Sequence, residues 1–185
     1  MKGIVFNLLE QYIEENLGEG KYEEILDGCT LMTKEPFVGP GTYPDQDLMA
    51  IIAATIKAAG ISLTEALRSF GRFCFHKLSA QYPGFVTPYS HPKPFLMSVE
   101  SVIHVEVKKL YEDASPPGFT YIDPASDRLI IQYRSERSLC QFMEGLIDGV
   151  AGHFQSPVHY KQRTCMLDGA VVCEFDLTFV TNGGG

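Results

Sequence analysis

The feature that most constrains the fold of this chain is the break at Pro116-Pro117-Gly118, where the hydrophobic pattern changes from helical to extended. Before the break, apolar residues recur at every third or fourth position, which is the period of one helix face. Beyond it, short apolar runs alternate with turn-forming residues, a pattern typical of strands. The sequence therefore predicts an α+β fold, with an amino-terminal helical subdomain followed by a carboxy-terminal antiparallel sheet with helices.

The amino-terminal half carries clear helix signals. Ser62, followed three residues later by Glu65, is a capping box that marks the start of a helix. Four prolines and a glycine between residues 80 and 94 predict a loop, so the helical subdomain is expected to cover about residues 1–80. The predicted helical segments are 3–16, a short helix around Tyr22 and Ile25, 45–59, and a fourth from Ser62 to Leu78.

The part beyond the break is predicted to contain four strands and one helix. Leu167-Asp168-Gly169 joins the last two strands, because Asp-Gly is a strong signal for a tight turn. We expect residues 1–180 to form a single domain, in which the second part begins at about residue 92, and residues 181–185 to form a disordered tail. The predicted elements are a strand at 119–122, a turn at 123–127, a strand at 128–133, a helix at 139–154, and strands at 158–166 and 170–180.

Charge and hydropathy argue against two kinds of binding partner, nucleic acids and membranes. The net charge is −8 and no cluster of lysine and arginine is present, which argues against binding to nucleic-acid phosphates. No apolar run approaches the roughly 20 residues that cross a bilayer, and the amino terminus does not have the pattern of a secretory signal. We therefore expect a cytoplasmic protein, not attached to a membrane, that binds a small molecule or another protein.

Tyr133, Ser135 and Arg137 form the first candidate binding motif. If residues 130–137 are a strand that leads into a helix, these alternate residues leave the same face of the sheet. All three side chains donate hydrogen bonds, and a guanidinium group binds a carboxylate through two parallel bonds. The motif therefore indicates an acidic ligand, although a solvated strand face produces the same pattern.

His104 is the second candidate. It borders an apolar helical stripe formed by residues 96, 99, 103, 107 and 110. An imidazole in such a position is either a metal ligand or a histidine at the boundary of the core. The helix that carries it ends shortly before the Pro116-Pro117 break.

Taken together, a histidine on a helix, a proline after that helix, and Tyr133-x-Ser135-x-Arg137 before the next helix resemble the haem-nitric oxide/oxygen binding (H-NOX) family. The likeness extends from the opening residues 1–7 to the last hydrophobic strand. It implies a haem b group, iron protoporphyrin IX, buried between the helical subdomain and the sheet, with His104 as the axial iron ligand. It also implies that Tyr133, Ser135 and Arg137 hold the two haem propionates.

The resemblance implies further haem contacts. It places Val5 and Leu9 near the porphyrin and Leu78 on its distal side. It also places Pro117 where a proline presses on the macrocycle and bends it. Pro116 in that role, or a turn-forming role for both prolines, remains open.

The resemblance also bears on which gas binds. Family members that hold dioxygen have a tyrosine five residues beyond the arginine, and this chain has Phe142 there. A phenyl ring donates no hydrogen bond to bound oxygen. The expected ligands are therefore nitric oxide and carbon monoxide, with dioxygen largely refused.

The implied signalling mechanism begins when nitric oxide weakens the bond between iron and His104. The porphyrin then flattens and the helical subdomain rotates, with Gly71 and Gly145 as candidate pivots or, equally, as sites of close packing. Stand-alone members of the family regulate a separate histidine kinase or a cyclic-di-GMP enzyme, either a diguanylate cyclase or a phosphodiesterase. We expect the same kind of partner here and no enzyme activity in this chain.

Three of the five cysteines form a possible metal site. Cys165 and Cys173 flank the predicted turn, and Cys140 begins the helix above them, so three thiolates could meet around a tetrahedral zinc ion. Some bacterial relatives have zinc in this region, but where they have a histidine this chain has Gln162. His159 is a candidate fourth ligand if the strand is bulged. A thiol cluster that senses oxidation, or three unrelated thiols, are the alternatives.

Two other classes of function compete with a haem sensor. One is an enzyme that uses His104 or Cys74, with Arg137 binding an anion, although no paired base and nucleophile has a recognisable spacing. The other is a metal-stabilised or redox-sensing module that binds an apolar carboxylic acid without haem.

Overall fold

The computed structural model describes residues 1–180 and confirms the predicted α+β fold. Helices form where the sequence predicts them: the capping box of Ser62 and Glu65 is present, and Gly60 ends the third helix in the left-handed region at φ +68°. The predicted tail at 181–185 lies outside the described residues. The helices are α1 Gly3–Leu17, α2 Lys21–Asp27, α3 Asp45–Ala59, α4 Leu63–Gln81, α5 Pro92–Ser98, α6 His104–Leu110 and α7 Cys140–His153.

The four strands form one antiparallel sheet. Its order is β1-β2-β4-β3, so the two last strands of the chain pair with each other and β4 also pairs with β2. The inward-facing residues of β2 and β4 are fully buried under α7, as the alternating burial of both strands shows. The strands are β1 Gly118–Ala125, β2 Arg128–Arg134, β3 Val158–Thr164 and β4 Cys173–Phe179.

Two hydrophobic cores are stacked on either side of the α4–α7 contact. The first is formed by helices α1 to α4 around Phe6, Ile13 and Ile51. The second lies between the sheet, α5 and α7, around Ile147 and Phe175. The sequence pattern of apolar helix faces followed by alternating strands thus produces a helical layer and a helix-covered sheet.

Gly71 and Gly145 are sites of close packing between α4 and α7. A Cβ atom added to Gly71 would lie 2.3 Å from the backbone oxygen of Phe142, and one added to Gly145 would lie 2.0 Å from the backbone oxygen of Arg68. Of the two roles considered for these glycines, the structure therefore supports contact between the helix backbones.

The helix that carries His104 is continuous from Pro92 to Leu110 but contains one wide turn. Residues Val99–Ile103 are π-helical, and the His104 N–H bonds to the Val99 oxygen five residues earlier. Such turns occur mostly as single interruptions of α-helices and are frequent at functional sites. His104 is the first residue after this turn.

The structure corrects three predicted connections. The loop expected up to residue 94 ends earlier, because Pro92 occupies the first position of α5, where its missing N–H costs nothing. The turn expected at 123–127 is confined to residues 126 and 127, since β1 continues to Ala125 through a bulge that accommodates Pro124.

The third correction concerns the tight turn expected at 167–169. A 3₁₀ turn, Met166–Asp168, replaces it, and Gly169 adopts φ +89° at its end, which favours glycine. The Met166 N–H donates to Cys173 Sγ at 3.2 Å. Cys165 therefore lies in the connection and not on a strand.

No single helix among residues 1–180 is long and apolar enough to cross a bilayer, although α3 and α4, bent by 109°, meet the length and composition criteria as a pair.

Candidate functional site

A cavity of about 450 Å³ is lined by residues of both hydrophobic cores. Close packing leaves voids little larger than a water molecule, so a space of this size is a ligand site. It also falls within the range of pockets that enclose small molecules and cofactors. Apolar residues from the helical layer, α5 to α7 and the sheet line most of it, among them Ile4, Val5, Phe70, Leu78, Leu96, Val99, Ile103, Val107, Phe142 and Leu146.

His104 lines this cavity, and its imidazole contacts two neighbouring side chains. Nδ1 lies 3.0 Å from the Glu100 carboxylate, and the ring stacks on Phe119 with centroids 5.3 Å apart and planes inclined by 21°. Burial lowers the pKa of His104, while the Glu100 carboxylate opposes that shift. The ring is therefore neutral at neutral pH, which leaves the Nε2 lone pair available to a metal.

Tyr133, Ser135 and Arg137 also line the cavity, although they do not share a strand face as predicted. The strand β2 ends at Arg134, so Ser135 and Arg137 lie in the turn that leads to α7. Tyr133 and Ser135 are buried, and burial raises the pKa of Tyr133, which keeps its phenol protonated as a donor. All three residues therefore reach the cavity from the end of β2 and the turn that follows it.

Arg137 belongs to a group of polar residues on one part of the cavity lining, here called the mouth: Lys2, Thr42, Asp113, Ser115 and Arg137. Its Nη1 donates to the backbone oxygen of Ser115 at 2.8 Å. Its Nε lies 2.8 Å from a carboxylate oxygen of Asp45, at the start of α3. Ser115 precedes the two prolines. The arginine thus connects the helical layer with the segment that leads into the sheet.

Lys2 and Asp113 form a second contact across the mouth, which the sequence interpretation did not identify. The Lys2 ammonium donates to the Thr42 hydroxyl at 2.8 Å and to Asp113 at 3.0 Å, and lies 4.7 Å from the centre of the Tyr111 ring. Thr42 also donates to Asp113. The partners in these pairs lie far apart in the chain. The local sequence pattern around residues 111–115 therefore does not indicate them.

The pocket residues implied by the resemblance occupy two places. Val5, Leu78 and Phe142 line the cavity. Leu9 is buried and lines a separate cavity of about 10 Å³ behind Leu67 and Phe70. Leu9 is therefore a core residue beside Leu67 and Phe70 and does not line the main cavity.

Tyr121 and Tyr160 are two further tyrosines with buried hydroxyl groups. Tyr121 lines the cavity beside Phe119, with ring centroids 6.3 Å apart, on the side of His104. Burial raises its pKa to about 12. Tyr160 packs against Phe175 and under the Arg68 guanidinium. Phe142 packs on Phe70 with centroids 5.4 Å apart, which gives that wall an aromatic, non-donating surface.

Pro116 and Pro117 both line the cavity, between the end of α6 and the start of β1. The prolines are held by neighbours on either side, because Ser115 accepts a bond from Arg137 and Phe119 donates its N–H to Glu100 at 3.2 Å. Both rings are therefore in fixed positions at the cavity wall, and either has access to a bound ligand.

The three predicted cysteines do come together. Cys140 Sγ lies 2.8 Å from Cys173 Sγ and 3.8 Å from Cys165 Sγ, and all three sulfur atoms are within 4.8 Å of one another. Burial raises the pKa of Cys140 and of Cys173, so these two groups are thiols in the absence of a metal. The donor set supplies three of the four ligands of a tetrahedral zinc site.

His159 does not complete that set. It is exposed and pairs with Thr178, whereas the half-buried residues of β3 alternate at Val158, Tyr160 and Gln162. The strand does have an irregularity, but it falls between Gln162 and Thr164, beyond His159. Because the irregularity comes after His159, that side chain keeps its outward direction.

The residues around the large cavity fit a haem group. A flat apolar ring requires apolar walls, its iron requires a neutral imidazole, and its two carboxylates require donors and positive charge. Val5 and Phe142 are among the apolar residues of the cavity wall, and His104 is the imidazole. Tyr133, Ser135 and Arg137 are the donors, and Arg137 also supplies the positive charge. The fold and site thus define an α+β domain built around one buried cofactor-sized site.

Comparison with known proteins agrees with this class. The family model described as haem-NO-binding matches residues 2–162. The chain therefore belongs to the haem-NO-binding, or H-NOX, family, whose members are haem-based gas-sensing domains. No curated protein sequence matches it significantly.

Several solved structures are similar over the whole chain. An H-NOX protein from S. oneidensis in the Fe(II)NO state is 28% identical, with a TM-score of 0.91 over 98% of this chain and 100% of that chain. The unliganded Fe(II) H-NOX protein from K. algicida is 26% identical, with a TM-score of 0.90 over 100% of both chains. The H-NOX from Shewanella woodyi in the Fe(II)CO state is 28% identical, with a TM-score of 0.85 over 100% of this chain and 97% of that chain.

Proposed function

We propose that this chain is a nitric oxide sensor that binds haem b, with His104 as the axial ligand and Tyr133, Ser135 and Arg137 as donors to the propionates. One observation carries the proposal: of the five histidines in the chain, His104 is the one that lines the cavity, and its Nδ1 is engaged by Glu100. Ferrous haem, when bound, supplies an iron centre that takes up diatomic gases.

The protein side chains then account for gas selection. A hydrogen-bond donor stabilises bound dioxygen, because the bound oxygen becomes partly negative. Phe142 lies in the wall where relatives that hold dioxygen have a tyrosine. Phe70, which packs on Phe142, and Leu78, which also lines the cavity, are apolar. Nitric oxide and carbon monoxide do not depend on such a donor, so these gases are the proposed ligands.

The proposed conformational change begins at His104 and is transmitted to the helical layer. His104 and Pro117 both line the cavity, so release of His104 would remove one attachment between the α5–α6 helix and the cofactor and would change what Pro117 contacts. The mouth contacts of Lys2 with Asp113 and Arg137 with Asp45 join the two parts of the chain and would respond to that motion. A ligand shifts such an equilibrium only through different affinities for the two states.

The proposed output is a separate protein in the cytoplasm. The family resemblance supports a sensor histidine kinase or an enzyme of cyclic-di-GMP metabolism as the partner, and a regulatory role without enzyme activity for this chain. Affinity capture from source lysate, with and without nitric oxide, tests this part: recovery of such an enzyme in a gas-dependent manner is expected. Equal recovery in both conditions would contradict gas-dependent signalling.

Absorption spectra test the haem site itself. The purified protein is expected to show an intense Soret band that moves on reduction and again on addition of nitric oxide. His104→Gly is expected to lose the axial bond and to regain it with added imidazole, whereas His153→Gly, at an exposed position, should behave as wild type. A colourless protein after haem supplementation would instead support the module that binds an apolar acid without haem.

For the thiol cluster we propose a zinc ion held by Cys140, Cys165 and Cys173, with a fourth ligand from solvent. The convergence of three sulfur atoms supports it. Metal analysis of protein purified without chelator should give one zinc per chain, lost in Cys173→Ser and retained in Cys29→Ser. Metal-free protein that forms a disulfide under mild oxidation would favour oxidation sensing.

A further inference from the structure

Glu100 occupies an unusual place on the helix that carries His104. It lies within the π-helical turn Val99–Ile103, one turn before the histidine, and its side chain is 34% exposed whereas that of His104 is 12% exposed. The carboxylate therefore lies between solvent and the buried imidazole. Glu100 lies four residues before His104, a spacing at which side chains on one face of a helix meet, and its carboxylate contacts the ring.

A single oxygen of Glu100 makes two contacts. Oε2 lies 3.0 Å from His104 Nδ1 and accepts the Phe119 N–H at 3.2 Å. Phe119 in turn stacks on the imidazole. It is the second residue of β1, directly after Gly118. Glu100 thus connects the histidine to the strand that starts directly after the two prolines.

We infer that Glu100 is a positioning residue for the axial ligand, which sets both the orientation of His104 and the strength of its bond to iron. The inference rests on the proposed function of His104. A carboxylate that accepts the Nδ1–H of a metal-bound histidine fixes the tautomer with the lone pair on Nε2 and makes the imidazole a stronger donor. Glu100 therefore opposes the release of His104.

The same contact has a consequence for signalling. Nitric oxide has to weaken a bond that Glu100 strengthens, so the carboxylate raises the barrier to histidine release. Because Oε2 also accepts the Phe119 N–H, the ring of His104 stays linked to β1 after release. A neutral or absent acceptor at position 100 lowers the barrier and loosens that link.

Glu100→Gln and Glu100→Ala test the inference in the haem-loaded protein. Resonance Raman spectra of the ferrous form should show the iron–histidine stretch at lower frequency in both variants, with the larger shift in Glu100→Ala. Glu106→Gln is the matched control, since Glu106 lies on the same helix and pairs with Lys109 at 2.7 Å. It should leave the frequency unchanged.

A second measurement separates positioning from general damage to the fold. In ¹⁵N-histidine-labelled protein with carbon monoxide bound, the Nδ1–H proton of His104 should exchange slowly in wild type and rapidly in Glu100→Ala. Haem transfer to an acceptor protein should accelerate on the order of 10-fold, as expected when a group that orients a metal ligand is removed.

The possible outcomes distinguish this inference from the proposed function. An unchanged stretch and unchanged Nδ1–H exchange in both Glu100 variants would overturn the role of Glu100 while leaving His104 as the ligand. An iron–histidine stretch that persists in His104→Gly would overturn the proposed haem ligand itself. Glu100→Gln preserves the shape of the side chain, so it remains informative if Glu100→Ala fails to fold.

Discussion

Arg137 and Asp45 form an ion pair, with Nε 2.8 Å from a carboxylate oxygen, although the residues belong to different parts of the fold. Arg137 follows β2 and Asp45 begins α3. The side chains are 21% and 42% exposed, so the pair is partly solvated and contributes at most about 1 kcal/mol to folding. Its interest lies in the fact that the same guanidinium is the proposed partner of the haem propionates.

The first prediction is that Arg137→Ala loses haem faster than wild type, by roughly 10-fold or more, because hydrogen bonds to charged groups are worth about 1.5–3 kcal/mol. Haem transfer to an excess of an acceptor protein measures this rate. Arg134→Ala is the control, since Arg134 is exposed at the end of β2. Asp45→Asn should not accelerate loss, because it removes an anion that competes for Arg137; faster loss in that variant would contradict the competition.

The second prediction concerns the gas. Phe142→Tyr places a hydroxyl on the aromatic wall beside Phe70, and a single neutral hydrogen bond is worth about 1 kcal/mol. We therefore expect this variant to form a detectable complex with dioxygen in air, followed by absorption spectroscopy of the reduced protein. Phe142→Leu, which changes the shape without adding a donor, should oxidise as wild type does. Equal behaviour of the two variants would show that position 142 does not face the bound gas.

The third prediction tests the contact between α4 and α7. Gly145→Ala should lower the free energy of unfolding by about 1–3 kcal/mol, because the added methyl group meets the Arg68 backbone oxygen and the helices have to separate. Gly152→Ala is the control on the same helix, where an added Cβ has open space. That change should be neutral or slightly stabilising, by up to about 1 kcal/mol. Denaturant unfolding measures both.

The fourth prediction is a pH effect from Asp47. This carboxylate is buried on α3 and accepts bonds from Met32 N–H at 2.7 Å, Thr33 N–H at 3.0 Å and the Thr33 hydroxyl at 2.6 Å. Burial raises its pKa, but these hydrogen bonds outweigh that effect and the pKa is lower than in the unfolded chain. The stabilisation is therefore complete above the unfolded pKa, about 3.9, and is lost as pH falls through the lower folded pKa.

Asp47→Asn tests this linkage. The variant should be less stable at neutral pH by about 1–3 kcal/mol, because the donors of Met32 and Thr33 lose a charged acceptor. Its stability should also fall less steeply between pH 5 and pH 3 than that of wild type. Glu23→Gln, at an exposed position on α2, should leave the fall in stability between pH 5 and pH 3 as it is in wild type. An equally steep fall in stability for wild type and Asp47→Asn over this pH range would contradict the lowered pKa of Asp47.

Local signals in the sequence were sufficient for much of the fold. The capping box at Ser62 and Glu65 and the left-handed Gly60 are decided within one turn of chain, and the helix boundaries there are confirmed. The break at Pro116-Pro117 correctly divides helical from extended structure. The fold class follows from these signals because each is a short-range backbone constraint.

The site was only partly predictable, because its geometry depends on contacts between distant residues. The apolar stripe that borders His104 does line the cavity, from Leu96 to Leu110. In contrast, the pair of Lys2 with Asp113 joins residues 111 positions apart and has no local signature. The shared face expected of Tyr133 and Arg137 was wrong, because β2 ends between them.

The wide turn at Val99–Ile103 fixes an angular relationship along the helix. Each residue of an α-helix advances the side-chain direction by about 100°. The wide turn closes its hydrogen bond over five residues where the α-helix uses four, so it takes up one extra residue without rotating His104–Leu110 by that angle relative to Pro92–Ser98. A residue inserted or deleted between Pro92 and His104 that the helix did not absorb in such a turn would rotate the imidazole by about 100° and out of the cavity. The width of this one turn is therefore part of what sets the direction of the proposed cofactor ligand.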